Sequence, residues 1–405
     1  STGGYIDSLT VSGTVADAYF KEADPFISVM LYEVDSTYSD SVIYNDPPRY
    51  ITNTLDSATT FQLSNLKHGT YQLVALKDVN NNYLFEPEKD KIAFLKDFIE
   101  VPTDSVFHLN LFSEEGEFAI SPRPDQLAQH HLIFDYTGKL QKDSLKIQLL
   151  PPVPEEYISR ITKDREKDTL HYWYKPEVAR DSLQFLVQTP VSKDTLLARL
   201  KEMKADSLQF TFEPSGAVNF EQEVKILPNI PLQNISDSLV TIINKDTVAV
   251  DFSMKYDEFR NEIILNFDKQ EQQIYSFTAL PGAFTDFFGS KNDTLRANFR
   301  TQAYSDYGNE TVNLQNVREY PIIVQLTNEE GEIQAEKFSN GESSFTFEHL
   351  KPGNYFIRVI YDRNDNKTWD TGNYLLKQQP EEIIYFPEVL EVRANWDMNR
   401  VFILD

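Results

Sequence analysis

Apolar and polar residues alternate on both sides of one short turn near the C-terminal end of the chain. Phe345 and Phe347 precede the turn, and the alternation resumes at Tyr355. A period of two is typical of strands with one buried face, so the pattern predicts two consecutive strands. The turn, Leu350–Asn354, contains Pro-Gly, which predicts a type II turn with the glycine at positive φ. A run rich in Asp and Asn, 362–366, follows the second strand and cannot continue it.

The same pattern occurs at 61–86, which aligns with 345–370 at a constant offset and without a gap. The residue types that coincide are those of Phe61 and Phe345, Leu66 and Leu350, Lys67 and Lys351, Gly69 and Gly353, Tyr71 and Tyr355, Asp78 and Asp362, Asn80 and Asn364, and Asn82 and Asn366. A spacing kept through so many turn and loop positions indicates a duplicated module. We therefore predict one copy near each end of the chain.

The region between the copies has a different rhythm. An Asp-Ser/Thr-Leu unit recurs at nearly equal spacing at Asp168, Asp181, Asp194 and Asp206. Asp followed by Ser or Thr forms turns by bonding its own backbone, and the apolar residue after it starts a strand. Short strands at this spacing predict an antiparallel sandwich of immunoglobulin type.

Composition narrows the class of protein further. The chain has 405 residues, enough for several domains, and its 28 Phe and 21 Tyr against 14 Gly favour strands. A formal charge of −25 disfavours nucleic acid as a partner, because phosphates would repel the chain. No apolar run approaches the roughly 18 residues of a transmembrane helix. The absence of cysteine excludes disulfides, thiolate metal sites and a cysteine nucleophile.

The strand, turn, strand and Asx-rich loop of both copies resemble the prealbumin-like (carboxypeptidase regulatory-like) family. This resemblance implies β-sandwiches and leaves activity open, because such modules are appended to many proteins. Residues 275–289, followed by Ala297–Thr301, are similar to the closing strands of the bacterial surface-layer Ig-like family. The order of modules, acidic and without cysteine, resembles the Ig-like-domain surface lipoproteins of the Bacteroidota. That resemblance implies a lipidated cysteine and a further Ig-like domain upstream, and an anchor on the extracellular side of the outer membrane.

The chain is thus predicted to be all-β, a tandem of prealbumin-like and Ig-like β-sandwich domains. The predicted ranges are 1–5 for the tail of a preceding domain, 6–117 for a prealbumin-like sandwich, 118–215 for an Ig-like sandwich, 216–316 for an Ig-like sandwich of surface-layer type, and 317–405 for a prealbumin-like sandwich.

The Asx-rich loop of the C-terminal copy is the sharpest candidate for chemistry. Its oxygen-bearing residues fall at positions 1, 3, 5, 7 and 9 of an EF-hand-like calcium loop: Asp362, Asn364, Asn366, Thr368 and Asp370. The EF-hand pattern is broken by Lys367 in place of glycine at position 6 and by Asn373 in place of glutamate at position 12. The alternative is an Asx turn without metal, in which the same side chains cap backbone amides.

The N-terminal copy repeats this spacing, although apolar residues at 83–85 crowd it. Its candidate calcium ligands are Asp78, Asn80, Asn82 and Glu86. Calcium is the one cofactor that the sequence suggests, and it suggests it only at these two loops.

Motifs for catalysis are missing from the sequence. The six histidines show no His-Glu-x-x-His spacing and no regular relation to a carboxylate, and neither a Gly-x-Ser-x-Gly elbow nor a phosphate-binding glycine loop is present. His130-His131 is interpreted as the start of a strand. The triplet Tyr172–Tyr174 is interpreted either as part of a core strand or as an exposed platform for glycans or protein.

The sequence therefore favours a non-catalytic cell-surface scaffold or interaction subunit. The resemblance to surface lipoproteins implies a lipid-anchored component associated with outer-membrane protein assembly or secretion machinery, with outer-membrane or cell-surface proteins as its expected partners. One alternative is a glycan-binding or adhesion module. Another is a set of accessory domains from a hydrolase whose catalytic part has been trimmed away.

Overall fold

Strands make up 50% of the chain and helices 3%, so almost all of the regular secondary structure is β-strand. The prediction of an all-β fold of tandem β-sandwiches is therefore confirmed. The predicted tail at 1–5 lies outside the described residues, because the computed structural model describes residues 8–55, 58–140, 145–178, 180–189 and 192–404. The helices described are α1 (Val42–Asn45) and two 3₁₀ turns, Asp237–Leu239 and Tyr304–Asp306. None of these has the length and apolar character to cross a membrane.

The first sandwich lies near the N-terminal end, and eight strands of it are described. They are β1 (Leu9–Asp17), β2 (Ser28–Glu33), β3 (Tyr50–Asn53), β4 (Thr60–Leu66), β5 (Gly69–Lys77), β6 (Lys91–Phe94), β7 (Ile99–Val101) and β8 (Val106–Leu111). One sheet has the order β4-β1-β8, and the other has the order β3-β2-β5-β6 with β7 also paired to β5. Alternate residues of these strands, such as Val11, Phe61 and Leu73, point between the sheets and form the core.

The second sandwich also has eight strands in the described part of the chain. They are β9 (Ala119–Ile120), β10 (Asp125–Ala128), β11 (His131–Thr137), β12 (Lys146–Leu149), β13 (Ile158–Lys163), β14 (Thr169–Lys175), β15 (Ser182–Gln188) and β16 (Lys193–Arg199). One sheet has the order β10-β11-β14-β13 with β9 on β11, and the other has the order β12-β15-β16. Strands β14 and β15 begin directly after Asp168 and Asp181, as the Asp-Ser/Thr-Leu rhythm predicts. Asp206, in contrast, lies in the linker 200–209 that joins β16 to the next strand.

The third sandwich is described over ten strands in three sheets. They are β17 (Phe210–Glu213), β18 (Gly216–Ala217), β19 (Val224–Pro228), β20 (Leu232–Ile235), β21 (Val240–Ile243), β22 (Phe252–Asp257), β23 (Glu262–Phe267), β24 (Ile274–Ala279), β25 (Phe284–Asp286) and β26 (Leu295–Arg300). The sheets have the orders β17-β19-β23-β22, β18-β26-β24-β21 and β20-β25. Residues such as Ile226, Phe277 and Phe299 fill the core between them.

The last sandwich repeats the construction of the first. Its strands are β27 (Gly308–Gln315), β28 (Ile322–Thr327), β29 (Ile333–Ser339), β30 (Ser344–Leu350), β31 (Gly353–Tyr361), β32 (Ile383–Tyr385), β33 (Leu390–Val392) and β34 (Asp397–Ile403). One sheet has the order β30-β27-β34, and the other has the order β29-β28-β31-β32 with β33 on β31. Phe347, Ile357 and Phe402 contribute to its core.

Two junctions between sandwiches differ from the predicted ranges. Strand β17 pairs with β19, so it belongs with the third sandwich and not with the range 118–215. Strand β27 pairs with β34 and β30, so the last sandwich begins at Gly308 and not at 317. No change of composition marks where the strands of one sandwich give way to those of the next.

The predicted duplication is confirmed by the strand bounds. β30 and β31 begin and end at the positions that the gapless alignment assigns to β4 and β5. The predicted type II turn is wrong, because neither Gly69 nor Gly353 has positive φ. Positive φ instead occurs one residue before the shared leucine, at Asn65 (60°) and His349 (54°). In β4 this residue lies in a bulge, so the chain bends inside the strand rather than at the glycine.

Packing groups the four sandwiches into two compact units. The first and last sandwiches, up to residue 116 and from residue 309, form the end unit, and the second and third form the middle unit. Inside the end unit, a core cluster places Val74, Phe94 and Phe112 of the first sandwich around Tyr374 of the last. The sequence does not predict this contact between the two ends of the chain.

Candidate functional site

The loop after β31 is organised by one buried carboxylate. Asp362 is 1% exposed and accepts backbone N–H groups from Asn366 (3.1 Å) and Lys367 (2.9 Å). To bring these amides round, the chain adopts positive φ at Asp365 (58°) and Lys367 (64°). The loop is therefore a tight Asx turn, and its shape is set by hydrogen bonds to Asp362.

The other predicted ligands of this loop converge on a second carboxylate. The side-chain amides of Asn364 and Asn366 both donate to Oδ2 of Asp370, each at 2.6 Å. The backbone N–H and hydroxyl of Thr368 donate to Oδ1 of Asn366, both at 2.8 Å. The five predicted residues are thus brought together. A cation could bind here only if both asparagine amides turned their oxygens inward in place of their NH₂ groups.

The loop after β5 has the same internal bonds at the equivalent positions of the first copy. Asp78 accepts from the backbone of Asn82 (3.3 Å) and Tyr83 (2.7 Å). The amides of Asn80 and Asn82 donate to Oε1 of Glu86, at 2.7 and 2.8 Å. Positive φ again falls at the same two positions, Asn81 and Tyr83. Both predicted ligand sets therefore assemble, and they do so in the same arrangement.

The two loops differ in the charge beside the converging carboxylate. Lys89 lies 2.5 Å from Oε2 of Glu86 and, with Asn80 and Asn82, lowers the pKa of this carboxyl to about 2. In the later loop the ammonium of Lys367 lies 5.7 Å from the centre of the Phe338 ring, so its stem carries the charge toward that ring. A cation entering the earlier loop would have to compete with Lys89 for the carboxylate.

Each loop is closed by a buried acid that sequence comparison misses. Oδ1 and Oδ2 of Asp90 accept from the backbone of Val79 and Glu86, both at 2.9 Å. The two oxygens of Glu381 accept from the backbone of Arg363 (2.8 Å) and Asp370 (3.1 Å), the residues at the equivalent positions. Asp90 and Glu381 themselves are not equivalent by position, because the later loop is longer before its closing acid. A gapless comparison therefore cannot align them.

The extra length of the later loop docks onto the first sandwich. We call residues 371–380 the docking loop. Tyr374 is fully buried there, with its ring 5.1 Å from that of Phe94. Gly372 lies so close to Phe112 that a Cβ atom would come within 2.6 Å of the ring. Lys377 forms an ion pair with Asp40 at 2.7 Å. Apolar burial, close approach and charge thus hold the same loop in place.

Further hydrogen bonds tie the docking loop to backbone carbonyls of the first sandwich. The hydroxyl of Thr371 donates to the carbonyl of Ser113 (2.6 Å), and the amide of Gln379 donates to that of Phe94 (3.0 Å). Both bonds join the docking loop directly to the first sandwich.

A second contact between the end sandwiches is built around Arg358, which is fully buried. Its guanidinium donates to Gln325 Oε1 (2.7 Å), to the carbonyl (3.3 Å) and hydroxyl (2.8 Å) of Tyr19, and to the hydroxyl of Tyr385 (3.1 Å). It also lies 4.3 Å from the centre of the Tyr19 ring. These partners of the buried cation are neutral, so its charge is balanced by hydrogen bonds and a π face.

In the middle unit, two histidines and two aspartates form a linear chain. Nε2 of His131 lies 2.8 Å from Nδ1 of His171, and Nδ1 of His131 lies 3.4 Å from Oδ2 of Asp206. Nε2 of His171 lies 3.0 Å from Oδ2 of Asp164. We call these four residues the histidine chain. The sequence shows no regular spacing between these two histidines and a carboxylate, and their relation arises only in the fold. Pairing of β11 with β14 brings His131 beside His171, while the turn before β14 supplies Asp164 and the linker 200–209 supplies Asp206.

The histidine chain lies in a cleft of about 710 Å³ between the second and third sandwiches. His131 starts β11, as predicted, and its ring stacks on Trp173 at 3.6 Å and 18°. Burial, followed by the charge of His171, lowers the pKa of His131 to about 3. Burial also raises the pKa of Asp206. The four groups are thus in contact with one another through three short polar contacts.

The aromatic triplet at 172–174 is not an exposed platform. Tyr172, Trp173 and Tyr174 are 1%, 2% and 2% exposed. β14 is an inner strand of its sheet, so Tyr172 and Tyr174 face the core of the second sandwich, while Trp173 packs against Ile230 and Phe287 of the third. The core interpretation of the triplet is confirmed, and the platform interpretation is wrong.

Comparison with known proteins adds little to this picture. No protein-family model matches the chain, and no curated protein matches it by sequence. Among solved structures, a surface glycan-binding protein of Bacteroides ovatus (SGBP-B of the mixed-linkage glucan utilization locus, with a heptasaccharide bound) is similar at 12% identity over 96% of this chain and 95% of its own, with a TM-score of 0.23. The major pilin subunit of Bacillus cereus is similar at 10% identity over 97% and 99%, with a TM-score of 0.18. TM-scores this low carry no argument about function.

Proposed function

We propose that the protein is a non-catalytic scaffold that presents fixed surfaces to other proteins. The observation that carries this proposal is the docking of the last sandwich onto the first. The docking loop inserts Tyr374 into a core cluster, and Arg358 makes a second buried contact. Sandwiches held in one arrangement lose less conformational entropy when a partner binds them than sandwiches on a free linker.

We also infer where this scaffold works. The resemblance to Ig-like-domain surface lipoproteins supports a lipid-anchored place on the extracellular side of the outer membrane. The proposed partners are outer-membrane or cell-surface proteins, with assembly or secretion machinery as the specific candidate. The glycan-binding alternative loses its clearest candidate surface, because the triplet at 172–174 is buried. No observation made above specifically favours the hydrolase alternative.

The experiment is capture of partners from detergent-solubilised outer membranes with the full chain as bait. The proposal expects a membrane barrel protein to be retained at a constant ratio to the bait. A bait with both Arg358→Ala and Gly372→Val, which loosens the docking, should retain less of it. Gly341→Ala is the matched control, because a Cβ atom there would meet nothing within 4 Å. Retention of polysaccharide without membrane protein would contradict the proposal.

A second proposal concerns the two Asx loops. We propose that they bind calcium weakly, because the same carboxylate and amide groups converge in both loops. Two acids and two amides form a site of low charge, which suits the millimolar affinities of extracellular modules. The later loop is the better candidate, since the converging carboxylate of the earlier loop is paired with Lys89.

A further inference from the structure

We propose that the histidine chain is a proton-binding site that fastens the linker 200–209 to the second sandwich when it takes up one proton. The linker carries Asp206, and the remaining three members of the chain belong to the second sandwich. Binding of a proton by the histidine chain therefore strengthens the attachment of the linker to the second sandwich.

The proposal rests on counting protons. The chain contains three contacts: His131 with Asp206, His131 with His171, and His171 with Asp164. Each contact needs one proton to be a hydrogen bond. Two neutral imidazoles carry one N–H each, and ionised aspartates carry none. With both aspartates ionised and both histidines neutral, one contact of the three therefore has no proton.

The distances and the partners of Asp164 identify the contact that has no proton. Oδ1 of Asp164 accepts from the backbone of Glu166 and Lys167, both at 2.9 Å, so this carboxylate is held as an acceptor. Burial opposes ionisation of Asp164, but these bonds and the one from His171 lower its pKa. His171 therefore donates to Asp164, and His131 donates to His171. The lone pair of His131 Nδ1 is left facing the carboxylate of Asp206, across the longest contact of the chain, 3.4 Å.

The missing proton enters at this contact. A proton from solvent binds between Nδ1 of His131 and Oδ2 of Asp206, and the charge of the four groups changes from −2 to −1. Burial lowers the pKa of His131 and raises that of Asp206. These directions place the proton on the carboxyl oxygen, which then donates it to Nδ1. Repulsion between two acceptors is replaced by a hydrogen bond, and all three contacts are complete.

The linker is held on both sides of Asp206 by bonds that do not titrate. The backbone N–H of Gln129 donates to the carbonyl of Lys204 (3.1 Å), and the amide of Asn229 donates to that of Ser207 (2.9 Å). Asp206 is therefore kept opposite His131 whether or not the proton is present. Other charged groups line the cleft, namely Lys163, Arg165, Lys167, Arg260, Glu166 and Glu213. They are unchanged in the variants compared below.

The test compares Asp206→Asn with Asp206→Ala and wild type. The amide of asparagine can donate to Nδ1 of His131 at every pH, so it imitates the protonated carboxyl. We expect the Asn variant to melt about 2–4 °C above wild type at pH 7.5. This advantage should shrink as the pH falls toward the raised pKa of Asp206, because wild type then gains the same bond. The Ala variant, which removes the carboxylate without adding a donor, should not reproduce the rise.

Acid also acts on all three proteins through the lowered pKa of His131, and the Ala variant measures the pH dependence that remains when residue 206 neither titrates nor donates. The pKa of His131 in the folded protein lies below its unfolded value, so above both values His131 makes its full contribution to the free energy of unfolding. This contribution is lost as the pH falls through the range between the two values. An Asn variant that melts at or below wild type at pH 7.5, or whose advantage does not depend on pH, would overturn the proposal.

Nitrogen NMR of wild type at pH 7.5 is an independent test. We expect Nε2–H on both rings, and a protonated Nδ1 on His131 would also overturn the proposal.

Discussion

The two Asx loops are alike over their first nine positions and differ after them, and the difference explains how the ends of the chain are joined. In both loops a buried acid accepts hydrogen bonds from two backbone amides at equivalent positions. These are the amides of Val79 and Glu86 in the first sandwich and those of Arg363 and Asp370 in the last. In the first sandwich that acid follows soon after Glu86, whereas in the last the docking loop separates it from Asp370. The last sandwich thus carries a contact element between two points that are the same in both loops.

A second difference lies on the same sheets. Arg358 of β31 stands at the position equivalent to Val74 in β5 of the first sandwich. Val74 belongs to the cluster that receives Tyr374, and Arg358 bonds to Tyr19. Both changes therefore lie where the end sandwiches meet. The copies kept the residues that make a sandwich and diverged in those that join one sandwich to the other.

Removing the side chain of Arg358 should have the largest effect on the contact between the end sandwiches. Arg358→Ala leaves the amide oxygen of Gln325 without its donor and takes from the carbonyl of Tyr19 one of its two donors, the other being the hydroxyl of Tyr385. We expect the free energy of unfolding of the end unit to fall by about 3 kcal/mol, measured by urea denaturation. Arg358→Met keeps the volume and should cost less than Ala. Arg393→Ala, at an exposed arginine, is the control and should change little. Equal stability of the Ala variant and wild type would show that the buried contact does not form.

Gly372 tests the docking loop itself. Gly372→Ala would place a Cβ atom 2.6 Å from the ring of Phe112 and 2.7 Å from the carbonyl of Gln378. Either the loop or the ring has to move, which we expect to cost about 1–3 kcal/mol of stability in the end unit. Gly341→Ala, where a Cβ atom meets nothing within 4 Å, should stay within about 0.5 kcal/mol of wild type. If both glycine variants unfold alike, the close approach to Phe112 is absent.

Substitution of the two closing acids, Asp90 and Glu381, should have a smaller effect on stability. Asp90→Asn and Glu381→Gln each replace an oxygen acceptor by an NH₂ group facing a backbone N–H. We expect each to lower the free energy of unfolding by about 1 kcal/mol, and by similar amounts. Glu88→Gln, at an exposed acid next to the earlier loop, is the control. A loss confined to one of the two variants would mean that the loops are closed in different ways.

The parts of this picture that could be read from the sequence are those encoded by residues close together in the chain. The duplicated strands and the convergence of Asp362 with Asn366 follow from local spacing. The docking loop could not be predicted, because Glu381 takes over the role of Asp90 only after a gap and because burial of Tyr374 depends on a sandwich at the other end of the chain. The histidine chain needs residues of two strands, a turn and a linker to meet. A single sequence carries no signal for such a meeting.

Calcium should act more strongly on the later loop than on the earlier one. At calcium about five times the dissociation constant, binding to the native state should raise the melting temperature by about 2–4 °C over chelator. Asn364→Asp adds ligand charge, so it should enlarge this difference while lowering the melting temperature in chelator through repulsion from Asp370. Asn80→Asp should respond less, because Lys89 competes for Glu86. Melting curves of all three proteins that ignore calcium would leave the loops as Asx turns without metal.

Contact between the two ends of the chain can be measured directly, because the protein has no cysteine of its own. The hydroxyl of Thr371 lies 2.6 Å from the carbonyl of Ser113, so the chain at these two positions runs close together and cysteines there test the contact. In the double variant Ser113→Cys and Thr371→Cys, mild oxidation should form an intramolecular disulfide. Both thiols should then be lost to alkylation while the chain stays monomeric, whereas each single variant keeps its thiol. Two thiols that remain open to alkylation after oxidation, or that pair only between molecules, would contradict the docking of the end sandwiches.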